Sequence, residues 1–406
     1  MSDYACRGCG AALDEVFVDL GVSPLSNAYL ERHELGRPEP FYPLCAYVCT
    51  RCLLVQLPAH EDPERIFGEY AYFSSYADTW LEHARRFATG AIERFALGPN
   101  SLVVELASND GYLLRWFADA AVPVLGVEPA RNVAAVARER GIETVAEFFG
   151  VALAERLAAE RGCADLIVAN NVLAHVPDLH DFVAGIALLL TPRGAASIEF
   201  PHLMRLIEQT QYDTIYHEHF SYFSLLALEP VFAAHGLTVV DVEELPTHGG
   251  SLRLTLGRGV PGARVEALRA AERAAGLHEL ATYRGFAERV GANKRGLLRF
   301  LLDAAERGER VAAYGAPAKG NTLLNYAGVR SDLVPYTVDR NPYKQGRYLP
   351  GSRIPIETPQ RLLDDPPEYV LVLPWNLADE IREQMAGLAR AGTRFVVAVP
   401  EITVLP

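Results

Sequence analysis

Residues 101–129, SLVVELASNDGYLLRWFADAAVPVLGVEP, read as strand, loop, helix and strand. SLVVELAS is an apolar run of strand length, GYLLRWFADAA spaces its apolar residues as a helix does, and VPVLGVEP is a second short run. Two strands joined through a helix pair in parallel, because a tight hairpin cannot return the chain in the same direction. The pattern continues downstream. RNVAAVARERG is a helix with a Gly stop, ADLIVANNV a strand, DLHDFVAGIALLL a helix and GAASIEFP a strand. GLTVVDVEELPTHGGSLRLTLG then reads as two adjoining strands that finish the sheet. Such alternation predicts an α/β fold, a doubly wound Rossmann-like sheet with helices on both faces.

The first loop carries the chemistry of this unit. Glu105 closes the first strand and Gly111 precedes the helix, where a glycine lets the backbone approach a ligand and the helix N-terminus presents free N–H groups. Glu128 ends the second strand, where a carboxylate accepts ribose hydroxyls. The loop lacks the full G-x-G-x-x-G, which weakens a dinucleotide reading. An acid at the first strand end suits a cationic cofactor bearing an amino acid, as in S-adenosylmethionine (SAM). Asn170, Asn171 and His175 of ANNVLAHVPDL lie where the fourth strand opens onto the same crevice; a packing or capping role is the alternative for His175. Ala107, Asn109, Tyr112, Pro129 and Phe148 complete the candidate cofactor contacts.

Upstream, residues 1–65 are rich in Cys, Pro and Tyr and form a first unit. Cys6-x2-Cys9 and Cys49-x2-Cys52 supply four thiolates, the closed tetrahedral set of structural zinc. A redox disulfide would need only one such pair, so Zn2+ is the expected ligand and Cys45 a bystander. Residues 66–98 run from an aromatic entry, EYAYFSSY, into a helix with Trp80, Ala84, Phe87 and Ile92 near one apolar stripe. The central unit is expected over 66–260. Residues 262–308 are mostly helical, and strands alternate with helices again toward the end, so a second Rossmann-like unit is expected within 261–406. There YGAPAKGNT ends a strand in a loop that exposes backbone amides beside Lys319, a phosphate-type arrangement although no Walker A sequence is present. DRNPYKQGRYLPG adds Arg340, Lys344 and Arg347, either closing over a diphosphate or solvated loop charges.

YHEHFSYFS, residues 216–224, remains to be explained. Histidine accepts a proton near neutral pH without large perturbation, so His219 is a candidate base. If the segment is extended, alternation puts His217 and His219 on one face and Glu218 on the other.

Taken in order, the Cys knuckles, ELASNDGYLL, GVEP, NNVLAHVPD, YHEHFSYFS and GAPAKGNTLLN resemble the SAM-dependent C-methyltransferases of nucleotide-linked deoxysugars, with the likeness running from Cys6 to the last strands. The resemblance implies a dTDP-4-keto-6-deoxyhexose substrate methylated beside the ketone, C3 favoured over C5, in deoxysugar and antibiotic biosynthesis. It implies His219 as catalytic base and Glu218 and Tyr216 in the sugar pocket. It also implies a pocket tyrosine from EYAYFSSY, Tyr72 favoured over Tyr70. Lys319, Asn321 and Tyr222 follow as substrate contacts. His175, Tyr72 or Tyr216 would hydrogen-bond the developing oxyanion. The rivals are an O- or N-methyltransferase of a nucleotide sugar and a non-catalytic zinc-ribbon binding protein.

The formal charge of −13 over 406 residues argues against a grip on a phosphate backbone, so no nucleic-acid partner is expected. No apolar run reaches the roughly 18 residues of a membrane span. The start, MSDYACRGCG, has no basic or apolar signal region. A cytoplasmic, monomeric chain is the expectation.

Overall fold

The computed structural model describes residues 4–61, 64 and 78–405. Three sheets organise them. A four-stranded sheet contains β1 (Glu15–Ser23), β2 (Tyr42–Val48), β3 (Val55–Gln56) and β9 (Ser221–Tyr222) in the order β1-β2-β3-β9, all neighbours antiparallel. A seven-stranded sheet is built from β4 (Val103–Leu106), β5 (Val124–Val127), β6 (Thr144–Val145), β7 (Ala164–Asn170), β8 (Leu190–Pro201), β10 (Thr238–Leu245) and β11 (Ser251–Gly257). Its order is β10-β11-β8-β7-β4-β5-β6. The last sheet takes β12 (Val311–Tyr314), β13 (Thr337–Val338), β14 (Ile356–Glu357), β15 (Tyr369–Val372), β16 (Arg394–Val397) and β17 (Thr403–Val404), ordered β14-β13-β12-β15-β16-β17.

In the central sheet β8, β7, β4, β5 and β6 are parallel, and the β10–β11 hairpin is added antiparallel to β8, as the adjoining apolar runs predicted. Every residue of β4 is buried, which fits a strand covered by helices on both faces. Burial of each such Val or Leu contributes about 1.5–3 kcal/mol. The chain leaves β4 toward β5 on one side and reaches β7 on the other. The crevice for a ligand therefore opens at the carboxyl ends of β4 and β7.

Local signals stop and start the helices around that crevice. Asp178 caps the helix Leu179–Leu189 by accepting from the His180 and Asp181 amides, a cap that contributes about 1 kcal/mol. Ser224 caps the helix Leu225–Ala233 through the Ala227 amide, and buried Glu272 accepts from the Leu225 and Leu226 amides at 2.7 and 2.9 Å. Both helices begin directly after histidine-bearing loops. The expected helix after the aromatic entry spans Asp78–Arg94, with Ala84 buried and Trp80, Phe87 and Ile92 packed beside it. Among the described residues, no helix is long and apolar enough to cross a membrane.

Candidate active site

At the carboxyl end of β4 the loop turns through three left-handed residues, Ala107 (φ 51°), Asn109 (φ 49°) and Gly111 (φ 77°). A side chain at Gly111 would sit 2.9 Å from Ile142, so the loop can close only with glycine there. Glu128 Oε2 accepts the Asn109 amide at 2.9 Å and Oε1 the Ala130 amide at 2.8 Å, tying the ends of β4 and β5 together. Pro129 is half-buried beside it, Tyr112 is buried under Trp80 (ring centroids 6.2 Å apart), and Phe148 stands exposed after β6. Asn170 ends β7, and Asn171 just beyond it is left-handed at φ 55°.

Glu105 is 1% exposed, and burial, then Glu128 and Asp110, push its carboxyl well above the usual range. Its Oε2 has no hydrogen-bond partner. A buried carboxyl with one oxygen lacking a donor, and two more acids beside it, fits a cation. SAM carries both a sulfonium and an ammonium, so the donor set matches that cofactor better than it would a pyrophosphate.

YHEHFSYFS does not run extended. The His219 amide donates to Tyr216 O at 2.9 Å, closing a turn, so His217 and His219 point apart rather than sharing a face. His217 Nε2–H donates to Pro43 O (3.1 Å) on the first sheet. Glu218 is buried against the same unit and accepts from Asn27 Nδ2 at 2.6 Å; it holds a partner loop. His219 turns the other way. Its Nδ1–H donates to Thr214 O at 3.0 Å, which leaves the lone pair on Nε2, and that nitrogen accepts from the Tyr216 hydroxyl at 2.9 Å. His175 lies 4.7 Å from the His219 ring centroid, edge to face, and gives its own Nδ1–H to Glu218 O at 2.8 Å. Tyr222, on β9, is buried with its ring 6.1 Å from that of His219. His175, Tyr216, His219 and Tyr222 thus form one cluster. Tyr70 and Tyr72 lie outside the described residues.

The imidazole is perturbed, contrary to the expectation of an ordinary value. Burial, then the neighbouring His175, hold His219 well below 6.5, and burial lowers His175 to about 4. Both rings are neutral at physiological pH.

The C-terminal loop differs from a simple phosphate cradle. The Ala316 amide already donates to Asp339 Oδ2 at 2.7 Å, so that amide is not open to phosphate. Lys344 Nζ donates to Ala316 O at 2.9 Å and lies over Tyr29, whereas Arg340 is exposed. Lys319 faces elsewhere. Its ammonium donates to Asn376 Oδ1 and sits 4.4 Å from the Trp375 ring, whose Nε1–H donates to Asp213 Oδ2 at 2.7 Å. Burial lowers Lys319 to about 8 and raises Asp213 to about 6. Asn321 is 1% exposed and its Nδ2 has no partner.

Sequence reasoning missed a second cluster on the crevice wall. Glu199, fully buried in β8, accepts from Arg253 (2.7 Å), Thr247 (3.2 Å) and His83 (3.1 Å). Burial would raise Glu199, but His83 and Arg253 outweigh it and hold the group below the usual carboxylate range. Trp80 stacks on His83 and approaches His248, a left-handed residue (φ 56°) whose Nε2 lies 3.5 Å from Asn171 Nδ2. In the sequence THGGSLR, Thr247 to Arg253, reads as a Gly-rich turn that either faces the substrate or is simply tight; the acid that Thr247 and Arg253 meet, Glu199, carries no such mark.

The four thiols come together as expected. Cys6, Cys9, Cys49 and Cys52 Sγ atoms all lie within 4.8 Å of one another. A zinc ion at about 2.3 Å from each sulfur needs edges of roughly 3.8 Å. Gln56 Nε2 donates to Cys6 Sγ at 3.2 Å, and the Gly8 and Cys9 amides also donate to that sulfur, as thiolate ligands require. The set fits zinc and leaves no ligand position for a reaction. Cys45 stands apart on β2.

Family models match three stretches of the chain: a putative zinc binding domain over residues 6–67, a methyltransferase domain over 80–242 and a C-methyltransferase C-terminal domain over 246–400. C-methyltransferase NovU of Streptomyces niveus is 39% identical over 407 residues, covering 98% of this chain and 96% of that protein. Among solved structures, a SAM-dependent methyltransferase from Clostridium acetobutylicum is 12% identical, with a TM-score of 0.37, covering 46% of this chain and 94% of that one. Magnesium protoporphyrin IX methyltransferase from Synechocystis is 14% identical, with a TM-score of 0.36, covering 48% and 92%.

Proposed function

Because the chain belongs to the SAM-dependent C-methyltransferases, we propose that it methylates a dTDP-4-keto-6-deoxyhexose at the carbon beside the ketone, C3 favoured, with His219 as the base. SAM supplies an electrophilic methyl group on sulfonium. The chain's own task is to make carbon a nucleophile. Nε2 of His219 takes the proton from the C–H beside C4=O, the electron pair moves onto the C4 oxygen, and the resulting enolate carbon takes the methyl group as the S–CH3 bond breaks, leaving S-adenosylhomocysteine. The Nδ1–H bond to Thr214 O favours the imidazolium that forms. Tyr216, which donates to the same Nε2 before substrate arrives, is released to donate to the enolate oxygen. Asn321, buried with an Nδ2 that has no partner, contributes to holding the nucleotide sugar, and Zn2+ on Cys6, Cys9, Cys49 and Cys52 serves the fold.

The observation that carries this reading is the fixed tautomer of His219, a neutral ring with its lone pair on the nitrogen facing a tyrosine hydroxyl. The test is a panel of dTDP-4-keto sugars deuterated at C3 or at C5. C3 methylation loses deuterium from C3 alone, and product NMR shows a new C–CH3. Retained deuterium with a new O–CH3 signal would replace this reading with O-methylation.

A linked outcome concerns the cofactor. A cation favours ionised Glu105, whose carboxyl burial and the neighbouring Glu128 and Asp110 push well above its usual value, so wherever that group is protonated SAM binding releases a proton and affinity rises with pH. Calorimetry over a pH series, in buffers of different ionisation enthalpy, should give buffer-dependent heats at the acidic end that fade as pH rises, and Glu105→Gln should remove that dependence. Equal heats in all buffers for the native chain would refute it.

A further inference from the structure

Arg7 sits inside the first cysteine knuckle, between Cys6 and Gly8, and its side chain reaches past Leu57 of its own unit into the two histidine loops of the central one. Nε–H donates to Pro177 O at 3.0 Å, and Nη1 donates to Leu57 O at 2.6 Å and Phe220 O at 3.2 Å. The guanidinium carbon lies 5.3 Å from the Phe220 ring centroid. These carbonyls are not arbitrary. Phe220 directly follows His219, and Pro177 lies two residues beyond His175. The Phe220 amide donates to Ala174 O at 2.7 Å, so one peptide unit already joins the two histidine loops, and Arg7 holds its neighbouring carbonyl.

The other end of Arg7 is equally constrained. Its amide donates to Gln56 Oε1 at 2.9 Å, while Gln56 Nε2 donates to the Cys6 sulfur. The carbonyl of Gly8 accepts from His180 Nε2–H at 3.1 Å, a second link from the knuckle, this one to the first turn of the helix Leu179–Leu189 that follows the His175 loop. A guanidinium presents several N–H donors in a rigid plane and can serve three carbonyls together; an ammonium cannot reproduce that fan.

We propose that Arg7 is a positioning residue, transmitting the folded state of the metal knuckle to the two imidazoles of the site, His175 and His219. The functional part of the claim rests on His219 being the base. Metal bound at the four cysteines fixes the Cys6–Cys9 turn, the turn aims Arg7, and Arg7 sets the spacing of the two histidine loops.

The experiment uses the full zinc-loaded chain with 15N-labelled histidine, native and as Arg7→Ala and Arg7→Lys. Zinc stoichiometry and SAM affinity should stay at native values in both variants. Imidazole nitrogen resonances of His175 and His219 should shift or broaden, while those of surface-exposed His33 stay fixed. In Arg7→Ala kcat should fall about 10²-fold, the scale on which misplaced catalytic groups act, with a smaller change in KM. Unmoved His175 and His219 resonances would overturn the proposal whatever happens to kcat. Loss of zinc from both variants would also overturn it, since Arg7 would then serve the knuckle itself. Resonances that move in a protein whose native form never exchanges sugar deuterium would uphold the positioning role and dismiss His219 as base.

Discussion

Replacing His219 with Asn leaves SAM binding intact and removes both deuterium exchange and methylation, with a loss of about 10²–10⁴-fold in kcat, the usual worth of a positioned general base. Asparagine retains an N–H for Thr214 O, so the turn that the ring's Nδ1 now supports keeps its hydrogen bond. The pH dependence is a sharper test. The neutral ring is the active form, and burial together with His175 holds its pKa well below 6.5. The native kcat/KM should therefore stay level as pH falls through 6.5 and decline only well beneath it. A profile that halves near pH 6.5 would mean that the titrating base is an unperturbed histidine elsewhere.

The second large effect belongs to the metal knot. Cys49→Ser removes one of four converging thiolates, at a site where zinc contributes folding energy outright. A loss of several kcal/mol, on the order of 10 °C in Tm, is expected together with release of the ion. Cys45→Ser, on β2 outside the cluster, is the matched control and should melt as the native chain does. A zinc-free Cys49→Ser chain with native Tm would refute the structural role.

What the sequence disclosed and what it hid have physical reasons. The loop from Glu105 to Gly111 and the acid at Glu128 were legible because strand, loop and helix lie within thirty residues and each signal is local. The cysteine tetrad was legible because thiolates in paired spacing have few other uses. Glu199 was not, since its partners His83, Thr247 and Arg253 lie 116, 48 and 54 residues away and meet only when β11 pairs with β8 and the helix Asp78–Arg94 packs beside them. The geometry of YHEHFSYFS misled for a different reason. Alternation holds only for an extended chain, and one hydrogen bond from His219 N to Tyr216 O converts the segment into a turn. Ala316 is a similar case, because the acid that occupies its amide comes from beyond β13, 23 residues on.

The strand β9 pairs with β3 although more than 160 residues separate them, and it carries the chain straight out of the histidine turn. Anyone building hybrids between relatives of this chain faces a non-obvious cut site as a result. Exchanging the cysteine-bearing leader by itself would graft a foreign edge onto the native Ser221–Tyr222 segment, whereas moving residues 4–61 together with 212–223 transplants both sides of that seam as one cassette.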